Sequence, residues 1–581
     1  MTINFKSYVQ AWWAFFGATL FSAIFFSVAM AADVSAPAPK APALPDYTVD
    51  YYSHETPYIP PQCYTESVPL KATANAVVTE GEVANPCYAC HTQGKRPNVL
   101  NDSETQQNFT FLGPAQTNPW RNLFVDRRAQ IAALKDADIL RYVQQDNYRT
   151  AEGEIALNQR IEKNLVAFDV NKNGKWDGYS PDAYFQFDQK GFDRTPQGGY
   201  SGWRSFAYYP FLGAFMPTNG STDDVLIRLP KAFQTDEQGH WSAAIYEINL
   251  AIVEAMIKEK NIPIAEVDEN TLGVDLNKNG VLDKATEIVY DWAPLEQKFM
   301  SYVGAAKTQL AAKKIHLAAK LYPEGTEFLH TVRYLDVSSS GKVGMAKRMK
   351  ELRYARKKFW VTYFGHETIA GAELKERHDF PDRPKTIVGN AEEGVEVSQG
   401  WVYQGFIEDA QGDLRPQTYE EHAVCAGCHS GTGSLVDSSY AFYRKFPSNQ
   451  FQQGWYHWTQ KALESIAEPK RESDGEYEYS FYLKHNPTGD EFASNTEVLN
   501  KFYRADGSAK ADAFAKLHGD ISYLLIPSVE RALALNKAYK LVVEEQSFNL
   551  GRDAILAPLQ HVHKYVEQDQ ETGITEALNF F

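Results

Sequence analysis

Two pentapeptides of the form CxxCH, CYACH at Cys87 to His91 and CAGCH at Cys425 to His429, constrain this chain more than anything else in it. In each, the two cysteines are spaced to form thioethers to the vinyl groups of one porphyrin, and the histidine that follows is placed to ligate the iron. The pair predicts two covalent haem c groups, held by Cys87, Cys90, Cys425 and Cys428, with His91 and His429 as proximal iron ligands. A porphyrin is a large apolar plate, and a chain that encloses two of them needs aromatic walls. Aromatic residues make up 13% of the sequence, with 33 Tyr and 33 Phe.

The beginning of the chain agrees with attachment outside the cytoplasm. Residues 11–31 carry no charge, follow Lys6, and end in Ala29-Met30-Ala31. Residues 1–31 therefore read as a secretory signal peptide cut before Ala32. At roughly 20 residues the same apolar run is also long enough to span a bilayer uncleaved, so contact with a membrane is expected only if it is retained. Either way the protein is expected in the periplasm or outside the cell. Residues 32–47 are rich in Ala and Pro and read as an extended linker. No cysteine just after the apolar run suggests a lipid anchor. The net charge is −16, and removing residues 1–31 takes away Lys6 alone, which makes it −17. So acidic a surface repels nucleic acid, and the expected partners are redox proteins.

The rest of the chain is several times one domain's usual length, and it divides by pattern into three blocks. Residues 48–230 hold the first pentapeptide and a helical stretch from Arg127 to Lys163. Residues 231–390 hold helix-like runs at Ala243 to Glu259 and Leu295 to Ala319, then the strand-like segments TEFLHTVRYLDV and FWVTYFG. Residues 391–581 open on the hairpin-like GWVYQGFIEDAQGDL, carry the second pentapeptide, and end in a helical tract from Ser528 to Glu545. The expected fold class is mainly α with short β-hairpins, an α+β chain of several cytochrome c-like haem domains. The stretch Lys342 to Lys358 has eight Lys or Arg against one acid, Glu351, and reads as a solvated helix face.

A second repeated element concerns a different metal. DVNKNGKWD (Asp169 to Asp177) and DLNKNGVLD (Asp275 to Asp283) share D-x-N-x-N-G-x-x-D. Oxygen ligands at positions 1, 3 and 5, glycine at 6 for the sharp turn and an acid at 9 are what the first part of an EF-hand or dockerin-type calcium loop requires. The candidate ligands are Asp169, Asn171, Asn173 and Asp177 in the first loop, and Asp275, Asn277, Asn279 and Asp283 in the second. Position 12, where a bidentate acid belongs, is Ser180 or Thr286, and the nearby Asp182 and Glu287 are the candidate substitutes. Calcium here would pin loops that border the haems.

On its two pentapeptides the chain resembles the dihaem c-type cytochromes. That resemblance implies electron transfer between redox partners. It leaves as alternatives a dihaem, peroxidase-like oxidoreductase with one open haem and a cell-surface subunit that passes electrons outward. The choice rests on the sixth ligand of each iron. Met216, in GAFMPTNG, is the first candidate because its Met-Pro pair resembles the distal methionine of small cytochromes c. His54, His422, His561 and His563 are further candidates, and Cys63 is left as a lone thiol.

Overall fold

The computed structural model describes residues 116–211, 220–430 and 437–568, apart from single positions within those stretches, and three two-residue strands at 55–56, 65–66 and 83–84. The signal segment, the linker, the first pentapeptide with His91, and His54, Cys63 and Met216 lie outside the described residues, as do the side chains of 425–430.

A ten-stranded antiparallel sheet organises the described chain. Its first strands are β1 (Phe192–Arg194), β2 (Tyr200–Ser205), β3 (Thr222–Asp223) and β4 (Leu226–Arg228). A separate two-stranded pair, β5 (Ile262–Asp268) and β6 (Lys284–Ile288), follows. The sheet resumes with the long hairpin β7 (Glu327–Val337) and β8 (Val343–Lys357), then β9 (Val388–Asn390), β10 (Gly394–Glu396), β11 (Trp401–Glu408) and β12 (Leu414–Pro416). In space the order is β9-β10-β11-β8-β7-β4-β2-β1, with β12 beside β11 and β3 beside β7. Strands from all three sequence blocks meet in this one sheet. The principal helices are α1 (Asp136–Val143), α2 (Ala243–Lys258), α3 (Tyr363–Asp379), α4 (Tyr419–Ser430) and α5 (Val529–Glu545).

The expectation of a mainly helical, cytochrome-like architecture is corrected by this sheet, and the basic stretch Lys342 to Lys358 shows why. It is strand β8, not a helix face. Two of its cations meet buried acids that arrive from elsewhere: Arg348 Nη1 lies 2.7 Å from Glu408 Oε1, and Lys357 Nζ lies 2.7 Å from Asp437 Oδ1. Both ends of each pair are buried. A charge run read in one dimension looks solvated throughout; in the sheet Arg348, Lys350 and Lys357 are interior, while Lys347, Arg353 and Arg356 face outward. The hairpin itself closes through Ser338–Lys342, where Ser338 and Lys342 share a hydrogen bond and Gly341 takes φ +78°. The segment FWVTYFG is also not a strand, because the Thr362 side chain accepts from Gly365 N and starts α3 at Tyr363.

Other elements keep their expected places. The run at Ala243 to Glu259 is α2, capped by Ser242 on Ile245 N, and almost every residue from Ile248 to Ile257 is buried. A helix that is apolar nearly all round has to be enclosed. It packs in a core with Phe206, Ile227, Phe328 and Trp401 of the sheet. A second core joins α1 and α5 to Tyr334, Leu335 and Ile407. There the pairing of β7 slips beside Arg333, and the buried Asn536 of α5 takes up the exposed backbone, donating to Leu335 O at 2.7 Å and accepting from Leu335 N at 3.1 Å.

Candidate functional site

The two D-x-N-x-N-G-x-x-D loops fold alike. Position 4 is left-handed in both, Lys172 at φ 59° and Lys278 at φ 56°, and so is the glycine at position 6, Gly174 at 84° and Gly280 at 88°. The position-1 aspartate holds this turn: Asp169 Oδ2 accepts from Gly174 N at 2.7 Å and Asp275 Oδ2 from Gly280 N at 3.0 Å. Across each loop the position-9 carboxylate gathers both asparagines. Asn171 and Asn173 donate to Asp177, and Asn277 and Asn279 to Asp283. Two carboxylates and two amides thus converge in each turn. Lys175 beside Asp177, helped by the two amides, holds that carboxyl down at about 2, so it is ionised at any physiological pH.

A third carboxylate clamps each loop from outside it, and no motif revealed it. In the first loop Glu392 accepts from Val170 N at 2.9 Å, from Asp177 N at 2.7 Å and from the backbone of Asn171. In the second Glu269 accepts from Leu276 N at 2.6 Å, Asn277 N at 3.1 Å and Asp283 N at 3.0 Å. These are the same three positions, 2, 3 and 9, and both glutamates are buried. Glu269 comes from the short helix that leads into its own loop. Glu392 comes from the β9–β10 turn, more than two hundred residues downstream, where Gln404 of β11 also accepts from Tyr179 N. Desolvation pushes the Glu392 carboxyl up, opposed by the backbone N–H groups that it receives.

The candidate substitutes for position 12 are turned elsewhere. Glu287 lies on β6 opposite Pro263 and accepts from Asn261 Nδ2 at 3.0 Å. Asp182 accepts from the Tyr179 hydroxyl, from Trp203 Nε1 and from Arg228. One atom at the second loop has no partner: Asp275 Oδ1 is buried and receives no hydrogen bond. A buried carboxylate oxygen left bare is costly unless a cation or water meets it.

The second pentapeptide rides on α4. Its helix starts from a capping box in which Thr418 N donates to Glu421 Oε2 at 2.9 Å and Glu421 N donates back to Thr418 Oγ1 at 3.3 Å. Arg415 grips the same carboxylate with both terminal nitrogens at 2.8 Å. Just before Cys425, His422 turns into the sheet, where Nε2 accepts from Gly405 N at 2.7 Å. Burial holds its imidazole down at about 4. Of the other candidate ligands, His561 is exposed and His563 half-buried, with Val562 between them packed against Trp120.

The state of His422 makes stability depend on pH. The unfolded imidazole takes up a proton below its ordinary 6.5, whereas the folded one resists down to about 4. The stability it contributes is therefore complete above pH 6.5 and is lost as pH falls toward 4, by at most about 3 kcal/mol. Urea midpoints at pH 7 and pH 4.5 measure this, and His422→Leu should flatten the difference even though it weakens the fold at pH 7. An equally steep difference in the variant would remove His422 from this role.

A family model described as “-like lipoprotein” matches residues 49–517. The chain belongs to that lipoprotein family. It is 30% identical over 541 residues to an uncharacterized lipoprotein of Aquifex aeolicus, with 86% of this chain and 85% of the relative covered. No solved structure matches it. The family places the protein among exported proteins of the cell envelope. It also corrects the resemblance to dihaem c-type cytochromes, and with it the readings of electron transfer and of an iron-dependent oxidoreductase. The likeness to cytochromes rested on ten residues, while the lipoprotein match runs through the whole sheet and helices α1 to α4. Among the described residues no three His, Cys, Asp or Glu side chains converge as a metal group; each calcium-type loop offers only two acids, with amides completing it.

Proposed function

We propose that this protein is an exported cell-envelope protein whose body is a calcium-stabilised scaffold, with one ion in each D-x-N-x-N-G-x-x-D loop. The ligands are Asp169, Asn171, Asn173 and Asp177 in one loop, and Asp275, Asn277, Asn279 and Asp283 in the other. The observation that carries this reading is the buried, unpartnered Asp275 Oδ1, which sits in a turn whose backbone repeats that of the first loop. With no bidentate acid at position 12, affinity falls in the weak class of extracytoplasmic modules, Kd on the order of 10⁻⁴–10⁻³ M. Such a site fills only where calcium is millimolar, which favours the outside medium over a calcium-poor compartment. The mechanical result is local: one ion fixes the β9–β10 turn on residues 169–177, and the other stiffens the span between β5 and β6.

Calcium at millimolar concentration, added after chelation, should raise the melting temperature by several degrees, and magnesium should do so less. Asp169→Ala combined with Asp275→Ala should remove the response. An unchanged melting temperature in the unaltered protein would refute the reading.

Covalent haem at Cys87, Cys90, Cys425 and Cys428 is proposed separately, as attachment chemistry with no reaction assigned. What supports it is the spacing of the two pentapeptides in an exported chain. Protein exported from a host with haem-attachment machinery should weigh two haems more than the polypeptide. Cys425→Ala with Cys428→Ala should remove one of them. An intact mass equal to the bare polypeptide would dismiss the proposal.

A further inference from the structure

An open cleft of about 770 Å³ lies between α2, β5 and the segment from Tyr443 to Glu478. Its size is that of a site for a small organic molecule. Apolar side chains, Ile248, Ile262, Ile264 and Trp455 among them, form much of its wall. Its lining also carries eight Lys or Arg against five Glu, a positive surplus in a chain whose net charge is −16.

Most of these charges are matched. Lys190 pairs with Glu247 at 2.7 Å, Lys258 and Lys445 share Glu254, Lys260 pairs with Glu472, and Arg444 with Glu478 at 2.6 Å. Among the described residues, Arg204 and Lys470 are the lining cations without an acid partner, and Lys470 instead lies over the Tyr477 ring. Arg204 projects from β2, is 4% exposed, and its guanidinium lies between the rings of Phe192 at 4.5 Å and Trp455 at 4.0 Å. Its Nε donates to Lys190 O at 3.0 Å, and among the described residues neither terminal nitrogen meets an acid or a carbonyl. A buried guanidinium in contact with two rings has its position fixed, and its two terminal nitrogens can give two parallel hydrogen bonds to an oxyanion.

We propose that this cleft binds a small organic carboxylate with an apolar body, the carboxylate received bidentately by Arg204 and the body laid along the aliphatic wall of α2 and β5. Stacking fixes where the head goes, and the isoleucines favour an aliphatic tail over a compact anion. Glu247 and Glu254, each paired with lysine, and Asp188 stand near enough to act on the guanidinium through space but form no ion pair with it.

Isothermal titration of the full chain with dodecanoate tests this, with dodecanol and inorganic phosphate as parallel probes. Dodecanoate should bind saturably, and both dodecanol and phosphate at least tenfold more weakly. Arg204→Met, which keeps an unbranched apolar stem beside the rings, should weaken dodecanoate at least tenfold. Because Arg204 is buried, Ile264→Asp on the partly exposed β5 supplies a second variant; Ile264 packs only at the margin of the core, and a carboxylate in the wall of a variant shown by its circular dichroism to be folded should weaken dodecanoate to the same extent. Equal binding of dodecanol, phosphate binding as tightly as dodecanoate, undiminished binding in a folded Arg204→Met or in Ile264→Asp, or no saturable binding would each overturn the proposal.

Discussion

Replacing Asp437 with Ala should destabilise the protein by about 3–5 kcal/mol, because it strands a buried lysine. Lys357 Nζ has Asp437 Oδ1 at 2.7 Å and Gln399 O at 2.7 Å, and neither charged side chain is exposed. The other carboxylate oxygen accepts from Tyr322 N at 3.0 Å, and His366 Nε2 stands 3.7 Å from the pair. Burial lowers the Lys357 ammonium, and Asp437 opposes that shift. The site also holds strain in place: Asp437 at φ 41° and Ser438 at φ 59° are consecutive left-handed residues without being glycine. Loss of the carboxylate removes the contact that keeps this backbone bent. Urea unfolding measures the effect. The double variant Lys357→Met with Asp437→Ala should recover more than half of it, since no charge is then left alone. A loss below 1 kcal/mol in Asp437→Ala, or no recovery in the double variant, would show that the pair is not the anchor described.

Glu392→Ala should come next in size, at about 3–4 kcal/mol. It leaves the N–H groups of Val170, Asn171 and Asp177 without their acceptor, and hydrogen bonds to a charged group contribute roughly 1.5–3 kcal/mol each before the loop relaxes toward water. Glu392→Gln keeps one acceptor oxygen and should lose about half as much. Amide exchange at positions 170, 171 and 177 separates this from a general weakening, because those three protons should exchange faster while those of β7 and β8 remain protected. Uniform acceleration across the sheet would contradict a local clamp.

The contrast between the two glutamates marks how far the sequence could be read. Glu269 lies six residues before Asp275, close enough that a longer view of the second loop would include it. Glu392 does the same work for the first loop from another part of the chain, and nothing near it in sequence says so. Local features were legible where their causes are local: α2 from its helix-like run, the β11–β12 hairpin from the segment GWVYQGFIEDAQGDL, and the two repeated turns from the spacing of their Asp, Asn and Gly residues. What failed were assignments whose cause is a distant partner. The basic run of β8 looked like a solvated helix face because Glu408 and Asp437, which take Arg348 and Lys357 into the interior, stand far along the chain. His422 looked like a spare haem ligand, yet Gly405 N occupies its Nε2.

Sequence alone determined the exported character of the chain and the repeated turn with its oxygen donors, because each depends on neighbours within about two dozen residues. Tertiary structure alone decided that the body is a ten-stranded sheet, that Arg348 and Lys357 are interior, that the first loop is clamped by Glu392, and that Arg204 lines a cleft. Each of those follows from which groups meet after the chain has folded. A buried charge or backbone N–H takes the nearest partner in space, whatever its distance in sequence.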